Sequence, residues 1–185
     1  MMKHDQKQTI YWSVLEFEDW NLHLAATANG LCYVGSANKP YEEMEEWVRK
    51  HFKAFNLLRD DKALMPYKEE LAAFLAGKLV RFSMPCDLLG TAFQQSVWEA
   101  LCKIPYGETC TYSDIADLIG KPAAVRAVGT AIGANPVLMS VPCHRVIGKN
   151  GTLTGFRGGR DMKTRLLALE KNAVVSLTQE AGRHV

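Results

Sequence analysis

The tripeptide Gly120-Lys121-Pro122 separates two short helical patterns, and this punctuation constrains the chain more than any other feature. Upstream, "TYSDIADLIG" sets Thr111 three residues before Asp114, a capping-box start, and ends on Gly120. Downstream, Pro122 opens "AAVRAVGTAIGAN" at a first-turn position, where its missing N–H is one of the helix's unpaired donors anyway. Two short helices joined this tightly fit a helix-turn-helix, whose second helix ordinarily meets DNA, although small helical domains of other kinds contain the same pattern. That second helix is nearly bare of bulk, with Ala123, Ala124, Ala127, Gly129, Ala131 and Gly133. Such a surface suits close approach, either to a neighbouring helix in the core or to a ligand. Arg126 is its one long charged side chain and suits a phosphate contact or insertion into a base stack.

Around this unit the chain predicts an α+β protein: a small mixed α/β N-terminal domain, then a mostly helical C-terminal domain. "TIYWSVLEF", "LHLAATAN" and "LCYVGSA" read as short strands, with Asn29-Gly30 as a hairpin turn between the last two. "YEEMEEWVRKHF" is an amphipathic helix with an acidic outer face, and "PYKEELAAFLAGK" is a second, from Pro66 to Gly77. "LVRFSMPCDLLG" reads as a strand broken by Pro85, and the domain boundary is expected at Leu88–Gly90. "TAFQQSVWEALCKI" aligns Phe93, Val97, Leu101 and Ile104 on one helical face. A last helix, "RDMKTRLLALEK", turns Met162, Leu166 and Leu169 inward. The division is therefore 1–88, 89–171 and a frayed tail, 172–185.

The 185 residues suffice for one large domain or two small ones. Neither a signal peptide nor a transmembrane run is evident, and five cysteines without regular spacing argue against a disulfide framework. These features predict a cytoplasmic protein with reduced thiols and no membrane partner. Net charge is +2 but uneven. Residues 1–90 carry eleven Lys/Arg against thirteen Asp/Glu, a balance of −2, and residues 112–171 carry nine against four, a balance of +5. A basic C-terminal region is expected to face a polyanion, if it is more than solvated surface charge.

"NPVLMSVPCHRVIG", residues 135–148, puts a thiol, an imidazole and a guanidinium in consecutive positions. A free thiol of ordinary pKa, about 8.5, is a few per cent thiolate at neutral pH, so reactivity needs a base or a positive charge nearby. His144 and Arg145 could supply both, and Pro142 stiffens the entry to Cys143. Asn135-Pro136 ends the preceding helix, and the Asn135 amide could tie two turns together. A third group must orient the imidazole, and Glu170 on the last helix is a candidate. In an arbitrary chain, Cys143 and His144 would more often be a core cysteine beside a surface histidine.

"PCHRV" at 142–146 resembles the active-site motif of the O6-alkylguanine-DNA alkyltransferases, and Asn135, eight residues ahead of Cys143, matches that family's asparagine hinge. "RAVGTAIGANP" resembles its recognition helix, and "GFRGGRDMKTRLLALE" its closing segment. "GTAFQQSVWEAL" and "IPYGETCTYSDIA" also match, so the likeness runs from about residue 90 to 171. Residues 1–88 match loosely, as the family's variable, ribonuclease H-like N-terminal domain.

The resemblance implies a monomer that binds double-stranded DNA from the minor groove and flips an alkylated guanine out of the stack, where its reactive atom becomes reachable. Arg126 would fill the gap, with Ala127, Thr130 and Arg145 also at the DNA. Tyr112 would rotate the flanking phosphate and hydrogen-bond the flipped base. Val146, Phe156, Arg157, Gly158 and Lys163 would line the pocket. Cys143 would take the alkyl group in a single irreversible turnover without a cofactor, with His144 as base through a water and Glu170 orienting it. O4-alkylthymine is a further candidate substrate. Phe156 stands where many relatives have tyrosine, and Arg157 and Arg160 replace commonly smaller or aromatic residues, which would change the pocket or add phosphate contacts. Some relatives bind zinc in the N-terminal domain; His4, His23 and Cys32 lack a fourth ligand, so no metal is expected. Two other readings stay open: a damaged-DNA sensor that binds without transfer, and a Cys-His hydrolase.

Overall fold

A computed structural model describes residues 7–181, with the side chains of the last helix described to residue 176. Strands β1 (Gln8–Phe17), β2 (Trp20–Thr27) and β3 (Gly30–Val34) form an antiparallel meander. Helix α1 (Tyr41–His51) then carries the chain over one face to β4 (Phe55–Arg59), which pairs parallel with β1. The sheet order is β3-β2-β1-β4. Strand β4 has no counterpart among the expected elements: "FNLLR" is short, and its ladder partner lies more than 40 residues away in β1.

Alternation divides the sheet. Ile10, Ala25, Cys32 and Tyr33 face α1 through Met44 and Val48, while Leu15, Leu22, Leu24, Leu31 and Val34 face the rest of the molecule. Consecutive Cys32 and Tyr33 share a face because β3 is bulged: Ala25 pairs with Tyr33 and Ala26 with Leu31, leaving Cys32 unopposed. The β2–β3 turn is Ala28-Asn29, one residue earlier than expected. Gly30 instead begins β3 at φ +145°, where a Cβ would lie 2.5 Å from the Pro85 carbonyl oxygen. Close approach, not the turn, requires that glycine. The segment 79–90, expected as a strand, makes a single bridge at Cys86, with Leu31 N donating to Pro85 O and Asp87 N to Leu31 O, both at 2.9 Å. Pro85 has no N–H to extend that ladder.

Helix α2 (Met65–Leu75) leads into the helical part: α3 (Ala92–Leu101), β5 (Cys110–Thr111), α4 (Tyr112–Leu118), α5 (Val125–Gly133), β6 (Val146–Ile147) and α6 (Gly159–Ala181). Val97, Leu101 and Ile104 are buried as the α3 stripe predicts, while Phe93 is half-buried under Lys121. Each fully buried aliphatic side chain contributes roughly 1.5–3 kcal/mol. Trp98 is buried and donates from Nε1 to Ala131 O at 2.9 Å, tying α3 to α5. One continuous core joins the inner sheet face, α2 and the helices around Cys143. Helix α6 does not fray after Lys171 but continues to Ala181, with Ala173 and Val174 seated against the close backbone turns at Gly77 and Gly107. Among the described residues no helix is long and apolar enough to cross a membrane.

Candidate active site

Local chemistry sets the frame. Thr111 and Asp114 form a reciprocal capping box that fixes the start of α4. After α4, Gly120 turns at φ +69° and Pro122 opens a 3₁₀ turn that runs into α5. On α5, Val128, Ala131 and Ile132 face the core, leaving Arg126, Ala127 and Thr130 exposed together on the outer face. The Arg126 side chain makes no ion pair or hydrogen bond among the described residues.

Helix α5 ends at the Asn135-Pro136 hinge. Asn135 is fully buried, and its side chain organises the chain that returns to the thiol. Oδ1 accepts from Val137 N at 3.0 Å, while Nδ2 donates to Val141 O at 2.9 Å and to Cys143 Sγ at 3.0 Å. Between these anchors Met139 sits at φ +70°, a left-handed conformation that costs a non-glycine residue about 1–3 kcal/mol. The Asn135 bonds across the turn offset that strain. Cys143, His144 and Arg145 form one 3₁₀ turn and are all buried.

His144 Nε2 lies 2.6 Å from Glu170 Oε1 on α6. An ionised carboxylate only accepts, so Nε2 carries the hydrogen and Nδ1 presents its lone pair. Nδ1 is buried without a protein partner among the described residues. Glu170 also takes Arg145 Nε at 2.9 Å, Arg145 Nη2 at 2.9 Å and Gly107 N at 2.8 Å, and Arg145 Nη1 donates to Ile104 O at 2.7 Å. Burial raises the Glu170 carboxyl, but the bonds from His144 and Arg145 outweigh it and hold it below its ordinary value. Burial dominates at His144 and lowers its pKa despite Glu170, so the ring is neutral. Burial likewise pushes the Cys143 thiol up to about 11, against the opposing pull of the Asn135 bond, Arg157 and Lys163. The resting thiol is therefore protonated at neutral pH, and thiolate forms only when a base takes the proton.

The structure brings Asn135, Cys143, His144 and Glu170 into one cluster, and it turns two arginines away from their expected places. Arg145, expected at the DNA, is 7% exposed and spent on Glu170 and Ile104. A phosphate would have to displace a buried carboxylate from it. Arg157, expected in the pocket or at phosphates, points toward β3 and binds Val34 O, Tyr33 Oη and the hinge carbonyls. Lys163 is wholly buried, with Nζ donating to Val146 O at 2.5 Å and Thr154 O at 2.9 Å. Phe156 stands edge-on to the His144 ring with centroids 6.4 Å apart, and Gly158 packs where a Cβ would strike Phe156 and Met162. Tyr112 is half-buried and donates from its hydroxyl to Thr154 O at 2.6 Å. His4 lies outside the described residues; His23 neighbours Trp12 and Tyr41, and the Cys32 thiol donates to Ala25 O. Sequence reasoning missed the roles of Ile104 and Gly107, both backbone groups; only their place in the "IPYG" motif signalled them.

Residues 10–88 match the family model "6-O-methylguanine DNA methyltransferase, ribonuclease-like domain", and residues 92–172 match "6-O-methylguanine DNA methyltransferase, DNA binding domain". The inducible methylated-DNA–protein-cysteine methyltransferase of Bacillus subtilis is 61% identical over 167 residues, covering 90% of this chain and 93% of that one. That of Methanosarcina barkeri is 41% identical over 165 residues, covering 88% and 98%. Among solved structures, the O6-methylguanine methyltransferase of Mycobacterium tuberculosis superposes with a TM-score of 0.76 at 42% identity, covering 89% of this chain and 94% of that one. The M. tuberculosis OGT in complex with DNA gives 0.75 at 41%, covering 89% and 94%. With both family domains matched in order along the chain, this protein belongs to the 6-O-methylguanine DNA methyltransferase family.

Proposed function

We propose that the chain repairs DNA by moving the alkyl group of O6-alkylguanine onto its own Cys143, once per molecule. The observation that carries this reading is the pairing of a neutral His144, its Nδ1 lone pair free beside the nucleophile turn, with a thiol already bonded to Asn135. His144 takes the thiol proton through a water, and Glu170 steadies the imidazolium that results. The sulfur then bonds to the alkyl carbon, the carbon–O6 bond breaks, and its electron pair goes to guanine. The proton that guanine takes up balances the one the thiol lost, so the step calls for no cofactor. The carbon–sulfur thioether has no leaving group as good as guanine, which makes the transfer a single turnover.

The exposed triplet Arg126, Ala127 and Thr130 on the slim α5 supports a duplex contact in which Arg126 fills the space of the flipped base. Tyr112, Val146, Phe156 and Gly158 are the proposed pocket wall. The protein acts as a cytoplasmic monomer, with 1–88 as structural support and 89–171 as the transferring unit.

The test is an intact-mass spectrum after mixing with a duplex containing O6-methylguanine, then peptide mapping. One methyl group per protein, on Cys143, is the expected result, with O4-methylthymine duplex assayed beside it. Cys143→Ala should gain none yet keep the duplex bound. A bound duplex with no methyl gain in the wild type would favour a damage sensor, and repeated turnover on esters a hydrolase.

A further inference from the structure

Arg157 of the closing segment turns toward the edge of the sheet at β3. Its Nε donates to Asn135 O at 3.1 Å, and Nη2 donates to Pro136 O at 3.1 Å and Val34 O at 2.6 Å. Nη1 meets Tyr33 Oη at 3.0 Å, and the guanidinium lies 4.8 Å from the centre of the Tyr33 ring. Glu43 of α1 approaches at 3.6 Å and is itself held by the Ser36 hydroxyl at 2.6 Å. Pro136 O also accepts from Val34 N at 2.9 Å, and Val34 bridges Val137. One planar cation thus binds the carbonyls of both hinge residues and a carbonyl of the sheet. The bulge at Cys32 makes this possible, because it turns Tyr33 to the α1 side while Val34 stays against the hinge.

We infer that Arg157 is a positioning residue for alkyl transfer, through which strand β3 holds the Asn135–Pro136 hinge so that Asn135 Nδ2 stays on Cys143 Sγ. The inference rests on the reading of Cys143 as acceptor. Only a rigid fork of donors reaches three carbonyls at once, and a lysine ammonium at that distance keeps the charge without the fork. The groups whose hydrogen bonds or charges act on the thiol are Asn135 and Cys143's own backbone from the hinge and turn, Arg157 from the closing segment, Lys163 from α6 and Tyr112 from α4. Arg157 and Lys163 favour the thiolate, so losing Arg157 also moves the Cys143 titration upward. The N-terminal sheet thereby takes part in the chemistry without touching the substrate.

The experiment compares wild type, Arg157→Ala and Arg157→Lys in three measurements. These are the transfer rate from free O6-benzylguanine, the transfer rate from O6-methylguanine duplex, and the pH dependence of Cys143 alkylation by iodoacetamide. Arg157→Ala is expected to lose about tenfold on both substrates, to shift the alkylation profile to higher pH, and to bind unmodified duplex like the wild type. Arg157→Lys should restore much of the pH profile but not the rate. If Arg157→Ala does not fold, Arg157→Lys carries the test: a wild-type rate in that folded variant overturns the inference. So does a loss confined to the duplex substrate, which would make Arg157 a phosphate contact. A wild type that transfers nothing to Cys143 overturns the parent reading instead, and the two failures are distinct.

Discussion

Glu170→Gln removes one charge and leaves the shape almost unchanged, which makes it the sharpest probe of the buried cluster. The Glu170 carboxylate is 1% exposed, and both oxygens receive only donors: His144 Nε2 and Arg145 on one, Arg145 and Gly107 N on the other. A glutamine amide must therefore point its NH₂ at a donor whichever way it flips. Arg145 would keep its charge at 7% exposure with only neutral acceptors, the remaining amide oxygen and Ile104 O. Breaking a buried ion pair in this way costs about 3–5 kcal/mol. For a chain of this size that is a fall in Tm of about 6–20 °C. Urea unfolding followed by the fluorescence of the four tryptophans measures it. A pH series gives the sign. The folded carboxyl sits below its ordinary 4.5, so its contribution is present above that value and disappears as pH falls through the lower folded one. The acid limb of the wild-type curve should be shallower in Glu170→Gln. Stability within about 1 kcal/mol of wild type, with an unchanged acid limb, would refute the charge balance described here.

Arg126→Ala should slow transfer from duplex O6-methylguanine more than from the free base, read in parallel rate measurements; equal losses on both would remove the base-replacement role. Asn135→Ala leaves Val137 N unpaired in the core beside the left-handed Met139 and leaves the Val141 carbonyl with Cys143 N as its donor, so a loss of about 1–3 kcal/mol is expected in the same urea assay, together with slower transfer. Gly155→Ala puts a Cβ 2.4 Å from the Tyr112 hydroxyl at φ +69°. It should therefore break the Tyr112–Thr154 contact, and an unchanged transfer rate would show that this contact does not shape the pocket. Iodoacetamide at pH 7 should label the exposed Cys102 before the buried Cys143, because desolvation raises both thiols and access separates them; mass mapping of the first adduct decides.

Local grammar alone determined a good part of this protein. The Thr111–Asp114 box, Pro122 at its turn, the α3 stripe and the three meander strands follow from side-chain period and capping chemistry, which act within a few residues. The Cys143-His144 pair and Asn135 were legible as a cluster because they lie within ten residues of one another. What the tertiary structure decided depends on partners distant in sequence. Strand β4 exists because β1 offers it a ladder, and Gly30 is required by Pro85 rather than by its own turn. Arg145 and Arg157 are the plainest cases. The sequence reading places Arg145 at the DNA and Arg157 in the pocket or at phosphates, since charge is visible in a string of letters and desolvation is not. Folding brings Glu170 to Arg145 across 25 positions and the edge of β3 to Arg157 across more than 120. Once taken out of water, Arg145 almost wholly and Arg157 in large part, each guanidinium is committed to the acceptors that offset its desolvation, and only the fold fixes which acceptors those are.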